Sequence, residues 1–129
     1  MGISGLVKET DFRFPKSCRL LKKEEFARVF SDGQRVRDGF FTVLYRPNGL
    51  NHPRLGLAVS RRQLPKAVQR NRVKRLVRES FRHHKNLLGP TDLVIMVRSG
   101  VKDVDNKVLF ASLAKLWGKI SRRIKQGET

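Results

Sequence analysis

The chemistry open to this chain is concentrated in one stretch. Between Arg61 and Lys85 stand ten Lys or Arg side chains and a single carboxylate, Glu79. Guanidinium groups at that density suit phosphate, which the planar fork can grip bidentately, and bases, on which it can stack. The same stretch offers His83 and His84 beside Glu79, residue types that could cleave a phosphodiester. Adjacent residues on a helix point about 100° apart, so the two imidazoles do not converge on one phosphate or metal. His84 also falls among apolar neighbours, as a core histidine would. No H-E-x-x-H run and no paired-carboxylate spacing exists among the 11 Asp and Glu. No catalytic side chain is therefore expected, and a nuclease made of protein alone is disfavoured.

These cations need a helix to align them. On a wheel, Val73, Leu76, Val77, Phe81 and His84 share one sector, while Asn71, Lys74, Arg75, Arg78 and Arg82 share the opposite one. Arg72 lies on one flank and Arg70 near the other border. Like charges three or four apart on a helix repel by a few tenths of a kcal/mol per pair. A face kept only for solubility mixes signs, whereas this ridge has almost none of the other sign. It reads as a surface for RNA or DNA.

Composition agrees. The 129 residues carry 29 Lys and Arg against 11 Asp and Glu, a net charge of +18, and the isoelectric point is near 11.4. Such a chain calls for a polyanionic partner. A hydrophobic share of 39% is enough for one core. No window approaches the roughly 20 apolar residues of a membrane span. The start, MGISGLVKETDFRF, lacks a signal-peptide pattern, and Leu6 stands where an acylation motif would want Ser or Thr. Cys18 is the only cysteine, which excludes an internal disulfide and a cysteine-rich zinc site. A reducing, cytoplasmic setting is expected.

The elements follow an α-β-β-β-α-β-α order. An irregular arm precedes a helix beginning near Lys22, where Phe26, Val29 and Phe30 fall at i, i+3 and i+4 and Gly33 is a stop. Gln34 to Arg46 reads as two strands separated by Asp38-Gly39. Alternation puts Phe41, Val43 and Tyr45 on one face and Phe40, Thr42 and Leu44 on the other. After a loop over PNGLNHP, LGLAVS sets Leu55, Leu57 and Val59 against Gly56, Ala58 and Ser60, a bulky core face opposite an approachable one. Pro65 suits the first turn of the basic helix, which runs to about Leu88 and stops at Gly89-Pro90. DLVIMVR reads as a buried strand. A last helix over about Asp105 to Ile124 has Leu109, Leu113, Leu116, Trp117, Ile120 and Ile124 as its stripe, with Lys115, Lys119, Arg122 and Arg123 around it. One sheet with helices mainly on one face is predicted, an α+β single domain.

RNA is favoured over DNA. No helix-turn-helix, zinc or zipper pattern is present. A sheet with Phe41 and Tyr45 near a helix offering Phe26 and Phe30 suits unpaired bases, although periodicity alone favours ordinary core packing for Phe26 and Phe30.

The run RNRVKRLVRESFR resembles the signature helix of the protein component of bacterial ribonuclease P. RLLKKEEFARVF, GLAVSRR and DLVIMVR agree with that family in the same order, so the resemblance extends from about Arg19 to Ile124. It implies an α/β sandwich over residues 19–125, with a four-stranded sheet and a left-handed βαβ crossover, flanked by an arm over 1–18 and a tail over 126–129. It implies a protein that assists a ribozyme, one protein with one RNA, in cutting precursor tRNA at its 5′ end. Magnesium would be held mainly by the RNA, with no cofactor on the protein, no membrane and no DNA. Matched by position, Arg70, Asn71, Arg72, Lys74, Arg75, Arg78 and Arg82 would face the catalytic RNA. Phe26, Phe30, Val43, Tyr45, Ser60, Arg61 and Arg62 would line a cleft for the single-stranded 5′ leader. RDGF at 37–40 carries one residue more than some relatives, leaving open whether Phe40 or Phe41 faces that cleft. A ribosomal or general structural RNA-binding protein is the other reading the basicity allows.

Overall fold

The computed structural model describes residues 16–20 and 22–126. Most of the expected arm and all of the expected tail but Gln126 lie outside the described residues. The last three arm residues form a 3-10 turn, Lys16–Cys18, with Cys18 buried. The elements are α1 (Lys23–Asp32), β1 (Gln34–Arg37), β2 (Phe41–Pro47), β3 (Arg54–Ala58), α2 (Ala67–Leu88), β4 (Thr91–Val97) and α3 (Asn106–Lys125), with a second 3-10 turn at Ser99–Val101. This is the expected order.

The sheet runs β1-β2-β4-β3. β1 and β2 form an antiparallel hairpin, β2 and β4 are antiparallel, and β3 and β4 are parallel with α2 as the connection between them. Asp38 closes the hairpin turn by accepting the Phe40 and Phe41 amide protons on Oδ1, at 2.9 and 3.0 Å. β2 and β4 occupy the middle of the sheet, covered on one face and partly on the other, hence their nearly continuous apolar runs. β1 is an edge strand whose Arg35 and Arg37 are exposed, and such charges discourage pairing with another chain.

Two helices cover one face. Phe41, Val43 and Tyr45 of β2, Leu55 of β3, and Leu93, Ile95 and Val97 of β4 pack with Val73, Val77 and Phe81 of α2 and Leu109, Leu113, Trp117 and Ile120 of α3. Trp117 is fully buried, edge-on to Phe81 with ring centroids 6.2 Å apart, and its indole N–H donates to Ser80 Oγ at 2.9 Å. α1 covers part of the other face, where Leu20, Val29, Leu44 and Val94 form a smaller cluster joined by Phe26, Ala58 and Met96.

Pro65 departs from expectation. It precedes the helix instead of opening it, because the chain first makes a turn in which the Leu64 N–H donates to Ser60 O at 3.0 Å and Leu64 is fully buried. Only then does α2 begin, with Lys66 in its N-cap position. It ends as expected at Gly89, whose φ of 65° side-chain-bearing residues rarely adopt.

Candidate nucleic-acid interface

α2 carries the basic ridge because its opposite stripe is fully committed to the core. Val73, Leu76, Val77 and Phe81 are buried, which leaves Asn71, Arg75 and Arg78 fully outward and Lys74 half-exposed. Lys74, Arg75 and Arg78 form no ion pair among the described residues. The other three arginines also serve the fold. Arg70 donates to the carbonyls of Leu64 and Pro65 at 2.9 and 2.8 Å, fastening the preceding turn. Arg72 donates to Asn106 Oδ1 at 2.9 Å and to the Val104 carbonyl, bracing the start of α3. Arg82 pairs with Glu79 at 2.6 Å. That bond, with a second from His83, holds the Glu79 carboxyl below its ordinary range. Of the two histidines, His83 reaches Glu79 and His84 bonds the Ser80 carbonyl at 2.7 Å, so they serve separate partners.

A groove of about 490 Å³ lies on the face that α1 leaves open. Thr42, Ala58, Val59, Ser60, Gln63, Met96, Val97 and Arg98 line it. Small Ala58 and Thr42 keep its floor low. Ser60 also holds the adjoining turn, its Oγ accepting the N–H groups of Arg62 at 3.0 Å and Gln63 at 3.3 Å. Arg61 and Arg62 are exposed on that turn, which connects the groove to the start of α2.

α1 lies beside the groove, since Phe26 packs on the same small cluster as the groove residues Ala58 and Met96. Phe26 is half-buried, and Phe30, one turn on, is 48% exposed. The helix is fastened to the sheet by Arg54, which pairs with Glu25 of α1 at 2.7 Å and with both carboxylate oxygens of Asp92 at 2.8 and 2.7 Å. These bonds, Asp92 foremost, raise the Arg54 pKa further above its already high value. Asn48 adds a bond to Asp92 at 2.9 Å.

Two expected floor residues are elsewhere. Val43 is fully buried and Tyr45 is 4% exposed, both in the core beneath α2 and α3. The reason is strand parity: odd positions of β2 face those helices and even positions face α1. The Tyr45 hydroxyl donates to Gln34 Oε1 at 3.2 Å and lies 3.3 Å from Arg123, on the far side from the groove. Neither alternative at 40 and 41 reaches the groove: parity turns Phe41 inward, and Phe40 lies in the hairpin turn just outside β2. Phe41 is fully buried in the main core and Phe40 packs against that core beside α3. Thr42 and Met96 take the floor instead, with Gln63 and Arg98 at the rim. Alternation in FFTVLYR already separated Thr42 from Val43; nothing in the sequence said which face α1 would leave open.

Among the described residues no group of three or more His, Cys, Asp or Glu stands where it could hold a metal ion.

A mixed four-stranded sheet with an arginine ridge on one helix and an open groove on the other face defines an RNA-binding protein of the α+β class. The ribonuclease P family profile matches residues 14–121. The chain is 52% identical over 112 residues to the ribonuclease P protein component of Methylococcus capsulatus, covering 87% of this chain and 88% of that protein. It is 44% identical over 117 residues to that of Pseudoalteromonas translucida, covering 91% and 84%. Among solved structures, the Staphylococcus aureus RNase P protein superposes with a TM-score of 0.73 at 34% identity, covering 78% of this chain and 92% of that one. The Thermotoga maritima RNase P protein gives 0.72 at 34% identity, covering 79% and 96%. The chain belongs to the ribonuclease P protein family, the protein subunit that works with the ribonuclease P RNA in the 5′ maturation of tRNA.

Proposed function

We propose that the groove holds the single-stranded 5′ leader of precursor tRNA while the outward cations of α2 seat the protein on the ribonuclease P RNA. The observation that carries this reading is the turn at 60–63, which sets the groove and the start of the ridge side by side. A substrate held at the first surface is thereby presented to the RNA bound at the second. Asn71, Lys74, Arg75 and Arg78 contact phosphates, and the spare N–H donors of Arg70, Arg72 and Arg82 add to them. Cations that neutralise phosphates release counterions, so this affinity falls steeply with salt.

The leader lies over Thr42, Ala58 and Met96, with Phe26 and Phe30 as its wall and Ser60, Arg61, Arg62 and Arg98 at its rim. A base stacked on an exposed aromatic such as Phe30 contributes roughly 1–3 kcal/mol. The protein contributes positioning and charge, the RNA the chemistry. Magnesium is held mainly by the RNA, in an assembly of one protein with one RNA. No described helix is long and apolar enough to cross a membrane, and the single, reduced Cys18 suits the cytoplasm.

Reconstitution with a ribonuclease P RNA at low magnesium tests the reading. Accurate 5′ cleavage, with tighter binding of leader-bearing precursor than of mature tRNA, is expected. Equal affinity for the two would remove the groove from substrate recognition.

A further inference from the structure

A row of side chains crosses the groove-bearing face at right angles to the strands. Ala58 on β3 is level with Met96 on β4, Met96 with Thr42 on β2, and Thr42 with Arg37 on β1. The first three line the groove. With strands about 4.8 Å apart, the row covers roughly 14 Å and ends at the edge of the sheet. Arg37 there also lines a second depression, of about 490 Å³, shared with Lys115, Lys119 and Arg122 of α3.

This depression has the charge logic of the α2 ridge. Lys115, Lys119 and Arg122 follow at i, i+4 and i+7, a line about 10 Å long on one side of the helix. They and Arg37 are exposed and pair with no carboxylate among the described residues. The one acid present, Asp38, is already engaged: Oδ1 accepts the two turn amides and Oδ2 accepts the Ser112 hydroxyl proton. α3 itself carries six Lys or Arg and no Asp or Glu. Like charges in such a line repel one another, and a bound polyanion would relieve that repulsion.

We propose that this depression is a distal subsite for single-stranded RNA. The leader leaves the groove over Arg37 and continues along α3, its phosphates held by Lys115, Lys119 and Arg122. The occupant is the leader, not a separate RNA, because Arg37 stands next to the groove residue Thr42 and itself lines the depression, joining the two into one positive path around the β1 edge. The inference rests on reading the groove as the leader site.

The test uses the holoenzyme reconstituted with ribonuclease P RNA, carrying either the natural protein or the triple variant Lys115→Gln, Lys119→Gln, Arg122→Gln. Each is titrated with mature tRNA, with a precursor whose leader ends inside the groove, and with one whose leader reaches α3. The natural protein is expected to gain affinity at both steps, while the variant keeps the first gain and loses the second. For the long leader, the slope of log affinity against log salt should flatten by about 0.7 for each phosphate that the variant leaves unneutralised. A variant that keeps the second gain overturns the proposal. So does equal weakening for short and long leaders, or weakened assembly with the RNA subunit, since either assigns these cations to another role. A natural protein that gains at the first step alone overturns the distal subsite and leaves the groove reading standing. One that gains at neither step overturns both.

Discussion

The ring of Phe26 lies directly over Gly56: a Cβ added to that glycine would stand 2.6 Å from Cζ and 2.7 Å from Cε1 of the ring, and 3.1 Å from Leu20 Cβ. α1, beside the groove, therefore rests on bare backbone in β3. Any side chain at 56 would push α1 away from the sheet and alter the groove beside it.

Gly56→Ala should thus lower stability by about 1–3 kcal/mol, the usual cost of overpacking, and reduce the preference for leader-bearing precursor. Urea denaturation and paired affinities for precursor and mature tRNA check this. An alanine accommodated with both quantities unchanged would show that α1 is not seated by this packing.

Arg75→Ala and Arg78→Ala should leave thermal unfolding unchanged, since neither side chain is buried. Each should flatten the salt dependence of binding to the ribonuclease P RNA, by about 0.7–0.9 in the log–log slope for every phosphate the arginine had neutralised. An unaltered slope would take these two off the RNA.

Tyr45→Phe should cost about 1 kcal/mol of stability by removing the hydroxyl and its bonds and leave leader discrimination as it was. Met96→Ala, on the opposite face, should weaken leader binding. The reverse pattern in the same two assays would put the groove floor on the wrong side of the sheet.

Arg54→Met should destabilise by about 3–5 kcal/mol, because it leaves the Asp92 carboxylate buried without its guanidinium partner. Glu25→Gln removes the ion pair from Arg54 to α1, leaves the Arg54–Asp92 pair in place, and should cost far less. Comparable small losses for both in chemical denaturation would mean that Asp92 is adequately served by Asn48.

Trp117→Ala should cost about 3–5 kcal/mol as a fully buried aromatic. Trp117→Phe should recover most of that loss, missing the bond to Ser80. A change of a few tenths for the alanine variant would show that α3 docks through other side chains.

Helical and strand periodicity make much of this legible in advance. The stripes of α2 and α3 are the buried ones, the small face of β3 is the approachable one, and Asp38-Gly39 is the hairpin turn. Local propensity and hydrophobic period decide such features, and both are written along the chain. Val43 and Tyr45 defy the expectation of a cleft floor because a strand shows two faces, and the helix that covers each is set by long-range packing. The link from Arg54 to Glu25 and Asp92 joins residues 29 and 38 positions apart, and no short-range pattern announces it.

Charge, length and the arginine helix were enough to determine a nucleic-acid partner and an α+β domain, since net charge and apolar spacing do not depend on how elements meet. Tertiary structure alone decided which arginines remain outward and which brace the fold, because that depends on the carbonyls and carboxylates brought near them. It also chose the open side of the sheet and carried Arg37 to the flank of α3. Those are consequences of three-dimensional proximity, which sequence distance does not encode.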